Sequence, residues 1–194
     1  SFNHDEVEFD VDKMSKKFRL SALQRGGARF DFEKAKSINQ KILSKKDSSL
    51  LITEHPKVFE GLIKATGNNA LEVVDLIKTR VSLLTDFQKE LNPFVQDPKE
   101  FDMGAIKNIL KSVRLNDLNI IGENIKLNKT NSIKEDVYKD SRIKGVSFGK
   151  LMQFLRISLV GDLSGPDVFF IIKIVGKDVT LRRLNSLLEK IQKQ

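Results

Sequence analysis

The sequence predicts an all-α protein, a helical cage or bundle in two subdomains, on three observations. Apolar residues recur at helical spacing in several stretches, as at Leu151, Leu155 and Leu159 or at Leu181, Leu184, Leu188 and Ile191. Glycine and proline punctuate those stretches, at Gly67, Gly161, Gly165-Pro166 and Gly176. No strand–helix alternation runs along the chain. The break Gly67-Asn68-Asn69 separates the two expected subdomains, residues 1–66 and 67–194.

Taken in order, residues 7–24 alternate briefly and then turn helical, with Asp10 placed to cap and Met14, Phe18, Leu20 and Leu23 as the buried set. Arg25-Gly26-Gly27-Ala28-Arg29 is a turn. Asp31 is placed as the N-cap of a helix reaching about Leu43. Residues 47–66 read as a helix or helix pair interrupted at Pro56, because the residue before a proline resists helical angles. A long amphipathic helix is expected from Ala70 to Leu91, with Leu71, Val74, Ile77, Val81, Leu84 and Leu91 on one face. Asn92 to Asp102, with two prolines, should be extended or turning. Residues 104–144 space Ile106, Ile109, Leu110, Val113, Leu118, Ile120, Ile121, Ile125 and Ile133 irregularly, and read as two or three helices.

The end of the chain is the most informative part. A helix through Leu151, Leu155 and Leu159 should stop at Gly161, and Pro166 suits the first turn of the next helix, where its missing amide hydrogen costs nothing. That nearly wholly apolar helix closes at Gly176. Asp178 is placed to cap a last helix that buries Leu181, Leu184, Leu188 and Ile191 and leaves Arg182 and Arg183 outside.

The net charge of +8 is segregated. Residues 11–46 carry a net +8 and residues 139–194 a net +6, while the first ten residues stand at −4 and residues 47–138 at −2. A polyanion bound by the two ends over a near-neutral scaffold accounts for this, as do lysines that merely solvate helix faces. No apolar run approaches the roughly 18 residues of a membrane helix. The start, SFNHDEVEFD, has neither the basic head nor the apolar centre of a signal peptide. The absence of cysteine excludes disulfides and thiolate metal sites and favours the cytoplasm, and two separated histidines, His4 and His55, speak against a histidine metal site.

Three blocks in sequence carry a resemblance. The last is Gly149-Lys150-Leu151-Met152, Leu155-Arg156, Leu159-Val160-Gly161, Gly165-Pro166, Val175-Gly176-Lys177 and Arg182-Arg183-Leu184. The first is Gly27, Phe30, Asp31, Glu33, Lys34 and Asn39, with serine at 37 where tryptophan is usual and lysine at 36 where some members have arginine. A weaker one joins the aromatic and proline segment at 92–102, and Tyr138 falls where an aromatic is common. Together they resemble the C-terminal anticodon-binding region of bacterial glutamyl-tRNA synthetases. The resemblance implies the same all-α fold, with residue 1 falling just after the catalytic and stem-contact domains. A parent enzyme would then join glutamate to tRNA(Glu), with tRNA(Gln) as a second candidate, using ATP and magnesium outside this chain. A monomer is expected.

Catalysis needs a nucleophile with a base, paired carboxylates, a metal cluster or a phosphate cradle, and the sequence offers none. Lys13-Met14-Ser15-Lys16 spells the signature loop of class I aminoacyl-tRNA synthetases, but the nucleotide-binding fold that loop requires is missing around it. Gly145-Val146-Ser147-Phe148-Gly149-Lys150 is one residue short of a phosphate-binding loop and is followed by leucine. RNA binding needs only cations for phosphates and planar or hydrogen-bonding groups for unstacked bases. By resemblance, Arg156 contacts the first two anticodon bases, Gly165 and Val168 form the turn and helix start beside it, and Lys36 helps sense the third base. The other reading is a basic helical protein-interaction module whose ends meet an acidic partner.

Overall fold

The computed structural model describes residues 30–127 and 132–193, together with Asp12, Ser15, Lys16, Phe18 and Arg19. Most of the expected first helix, with Asp10, Met14, Leu20 and Leu23, and the 25–29 turn lie outside these residues; Phe18, expected in the buried set, is 55% exposed. The described chain is all-α. Its helices are α1 (Phe32–Lys45), α2 (Ser48–Glu54), α3 (Pro56–Thr66), α4 (Ala70–Ile77), α5 (Asp86–Val95), α6 (Met103–Leu110), α7 (Asn119–Leu127), α8 (Ile133–Ile143), α9 (Phe148–Val160), α10 (Val168–Val175) and α11 (Lys177–Gln192). Single 3-10 turns at Gly67–Asn69 and Leu115–Leu118 connect them.

The helix starts follow from capping. Asp31, Asp47, Asp102 and Asp167 each accept a main-chain N–H of the first turn through a carboxylate oxygen, and Ser147 does so through its hydroxyl. Pro56 is the first residue of α3, where it needs no hydrogen-bond acceptor. Two expected caps differ. Pro166 lies two residues before α10, whose cap is Asp167, and Asp178 sits inside the first turn of α11, which Gly176 precedes.

The expected long helix over 70–91 is two helices. Asp86 Oδ2 accepts the amides of Ser82 (3.1 Å) and Leu83 (2.9 Å), which pulls the chain into a turn after α4. Val81 is buried in that turn, and Leu71, expected inside, is 47% exposed. Pro93, expected in an extended stretch, is buried within α5 near its end. A proline there loses only one hydrogen bond of the last turn, and the carbonyls freed at that end find another donor, described below.

One hydrophobic cluster runs from Leu43 to Leu187. Phe59 of α3 meets Phe87 of α5 edge to face, with centroids 5.1 Å apart, so the core is continuous across the break at Gly67. Helices α2 to α5 pack mainly on one another, and α9 is the hub of the rest, against α5, α6, α8, α10 and α11. Six of its thirteen residues are buried: Leu151, Phe154, Leu155, Ile157, Ser158 and Leu159.

Candidate nucleic-acid interface

The end of α9 builds a corner. Gly161 terminates the helix with φ 90°, and a Cβ at this position would stand 2.5 Å from the Glu100 carbonyl oxygen. Its own carbonyl accepts the Asp102 amide at 2.8 Å, tying the corner to the start of α6. The chain then turns through Gly165, whose φ of 153° places the missing Cβ against Val160 at 3.0 Å.

Arg156 holds this turn from inside α9. Its Nη1 donates to the carbonyls of Gly165 (3.0 Å) and Pro166 (2.6 Å). Nε and Nη2 have no protein acceptor among the described residues, and no buried side-chain nitrogen there lacks one, so these two donors reach solvent. No carboxylate pairs with Arg156 among the described residues. Val168 begins α10 and is buried, at 3% exposure. The structure thus brings Arg156, Gly165 and Val168 to one place.

The two arginines of the final helix are consumed. Arg183, expected outside the buried stripe, is 3% exposed. Its Nη1 donates to Pro93 O (2.7 Å) and Leu159 O (3.1 Å), Nη2 to Gln96 O (2.9 Å) and Nε to Asp97 Oδ1 (2.8 Å). These carbonyls belong to the C-terminal ends of α5 and α9, where unpaired oxygens and the helix dipoles favour a cation. Arg182 grips Asp97 with two nitrogens, at 3.0 and 2.9 Å. The Arg182 fork, with Arg183 behind it, holds the Asp97 carboxyl below the ordinary carboxylate range. Only the distance in sequence hid Arg183: its partners lie 24 to 90 residues away.

Lys36 stands apart from this corner. It is exposed on α1 and pairs with Glu33 at 3.4 Å, one turn earlier. Helix α1 is docked by Asn39 Nδ2 on Ser82 O and Gln40 Nε2 on Thr79 O (3.2 Å), with Leu43 its buried residue. No hydrogen bond or ion pair joins Lys36 to the Arg156 corner among the described residues. Lys13 and Met14 lie outside those residues, and Ser15 Oγ donates to Asp12 O at 2.9 Å. Residues 145–150 form the connection from α8 into α9, with Ser147 as its cap.

A family model described as an anticodon binding domain matches residues 51–188. The chain belongs to the anticodon binding domain family. The matched residues of this anticodon binding domain include Arg156, Gly165 and Val168 and leave Lys36 outside. A glutamate–tRNA ligase of Christiangramia forsetii is 33% identical over 97% of the chain, and one of Flavobacterium johnsoniae 31% identical over 96%. The chain spans 38% of the length of each. Among solved structures, a glutamate-tRNA synthetase from Elizabethkingia anophelis superimposes with a TM-score of 0.78 at 32% identity, over 92% of this chain and 36% of that one.

Proposed function

We propose that this domain is part of a glutamate–tRNA ligase and holds the anticodon loop of tRNA(Glu), with tRNA(Gln) as a second candidate. The observation that carries this reading is the likeness of nearly the whole chain to such ligases, over 97% of its length. The corner supports it chemically. Arg156 keeps an uncompensated guanidinium with two donors free toward solvent, fixed in place by the turn it binds. A fork held that rigidly suits the edge or face of an unstacked base. Lys36 contributes a second, flexible cation. ATP and magnesium act elsewhere in the ligase, which is cytoplasmic and binds its tRNA as a monomer. A protein-interaction module is not favoured, since the relatives are ligases. Residues 1–66 and 67–194 are the proposed subdomains; the packing of 70–95 on 48–66 supports a second seam near residue 96, and limited proteolysis distinguishes the two.

The test is binding of a tRNA(Glu) anticodon stem-loop. The chain should bind with a steep salt dependence, and Arg156→Ala should cost about 1–3 kcal/mol and relax the preference for the first two anticodon bases. Equal binding of all loop sequences by the unaltered chain would sink the reading.

A further inference from the structure

One flank of α8 carries Lys134, Tyr138 and Arg142, four residues apart, so they align over two helical turns and about 12 Å. Tyr138 is 50% exposed although it is aromatic, and its ring meets Phe148 at the start of α9 edge to face, with centroids 5.3 Å apart. Lys134 Nζ lies 6.0 Å from the Phe169 ring centroid. Phe169 is the second residue of α10, the helix whose preceding turn Arg156 binds. The track therefore starts at the Arg156 corner and runs along α8. Arg142 shares with Arg156 the lack of a carboxylate partner among the described residues. Asp136 and Asp140 lie on the other flank of α8, and Asp140 accepts from Asn124 at 2.8 Å. Glu135 is the acid beside Lys134.

We propose that this flank is a second RNA contact, which stacks an unpaired nucleotide outside the anticodon triplet on Tyr138 and places its flanking phosphates against Lys134 and Arg142. This rests on the reading that the domain binds an anticodon arm. A half-exposed ring held by a second ring, flanked by two cations with Glu135 as the one acid on that flank, is the composition of a single-strand stacking platform. The ring is fixed before the base arrives. Its face needs no particular base, so the contact adds affinity without adding triplet preference.

The chain has one tyrosine and no tryptophan, so its intrinsic emission reports Tyr138 alone. Titration with a tRNA(Glu) anticodon stem-loop, with absorbance corrected against free N-acetyltyrosinamide, should change that emission on binding. Tyr138→Ala should weaken binding about tenfold, Tyr138→Phe should bind like the unaltered chain, and Arg142→Ala should lower the salt slope by about one. In all three the preference for the anticodon bases should persist, whereas Arg156→Ala should relax it at the first two. Binding with silent tyrosine emission and an unchanged Kd in Tyr138→Ala overturns this second contact and leaves the anticodon reading standing. Failure of the unaltered chain to bind any stem-loop overturns both.

Discussion

Arg183 caps the C-terminal ends of two helices at once, and removing it would strand the carbonyls of Pro93, Gln96 and Leu159. We expect Arg183→Met to lose about 3–5 kcal/mol of stability in urea denaturation, because a buried charge network is broken rather than exchanged. Its acidic partner gives a pH signature. The Asp97 carboxyl is held below its ordinary range by Arg182 first and Arg183 next. Its contribution is therefore complete above the unfolded carboxylate value, about 3.9, and is lost as pH falls through the lower folded value. Stability should decline in acid, and Asp97→Asn should flatten that decline in part, since Asp47, Glu54, Asp75 and Asp117 are held low too. At this scale the sequence showed which side chains were cationic but not which were occupied. Arg156, Arg182 and Arg183 look alike as letters, and only the fold brings Asp97 to two of them and leaves the third without a carboxylate partner.

The helix ends at Gly161 and Gly176 and the start at Asp31 were legible, because the signal and its effect sit within four residues, whereas Asp178 was misplaced as a cap and the caps Asp47, Asp102 and Asp167 were not foreseen. Asp31, Gly161 and Gly176 act where the spacing placed them. Gly161 carries two constraints together, a left-handed φ and the Glu100 carbonyl 2.5 Å from any Cβ. Gly161→Ala should cost more than the roughly 1 kcal/mol of backbone strain alone, read as a fall in thermal midpoint. The break in 70–91 was not legible, because periodicity continues through Val81, Leu84 and Leu91 while Asp86 takes the Ser82 and Leu83 amides. Asp86→Ala should cost about 1 kcal/mol in thermal denaturation. Pro93 misled in the opposite direction: near the end of a helix it breaks little, and Arg183 bonds its carbonyl.

For the molecule as a whole, the buried cluster crosses Gly67 through Phe59 and Phe87. Unfolding followed by fluorescence and by circular dichroism should give coincident transitions, and Phe59→Ala should destabilise both halves together by about 3–5 kcal/mol. Helix α1 is the exception. It holds to the 79–82 turn through two side-chain amides, to Lys78 through the Lys46 carbonyl, and to the core through Leu43 alone, so its grip is mostly polar. Such an element opens at a far smaller free energy than the bundle. The cation at position 36 consequently rides on a hinged arm, while the guanidinium at 156 is bolted to the frame. Amide hydrogen exchange should find residues 32–45 fast in the free chain; under the proposed function RNA should slow them, and the contact at position 36 would then wait upon capture of the ligand at the rigid corner.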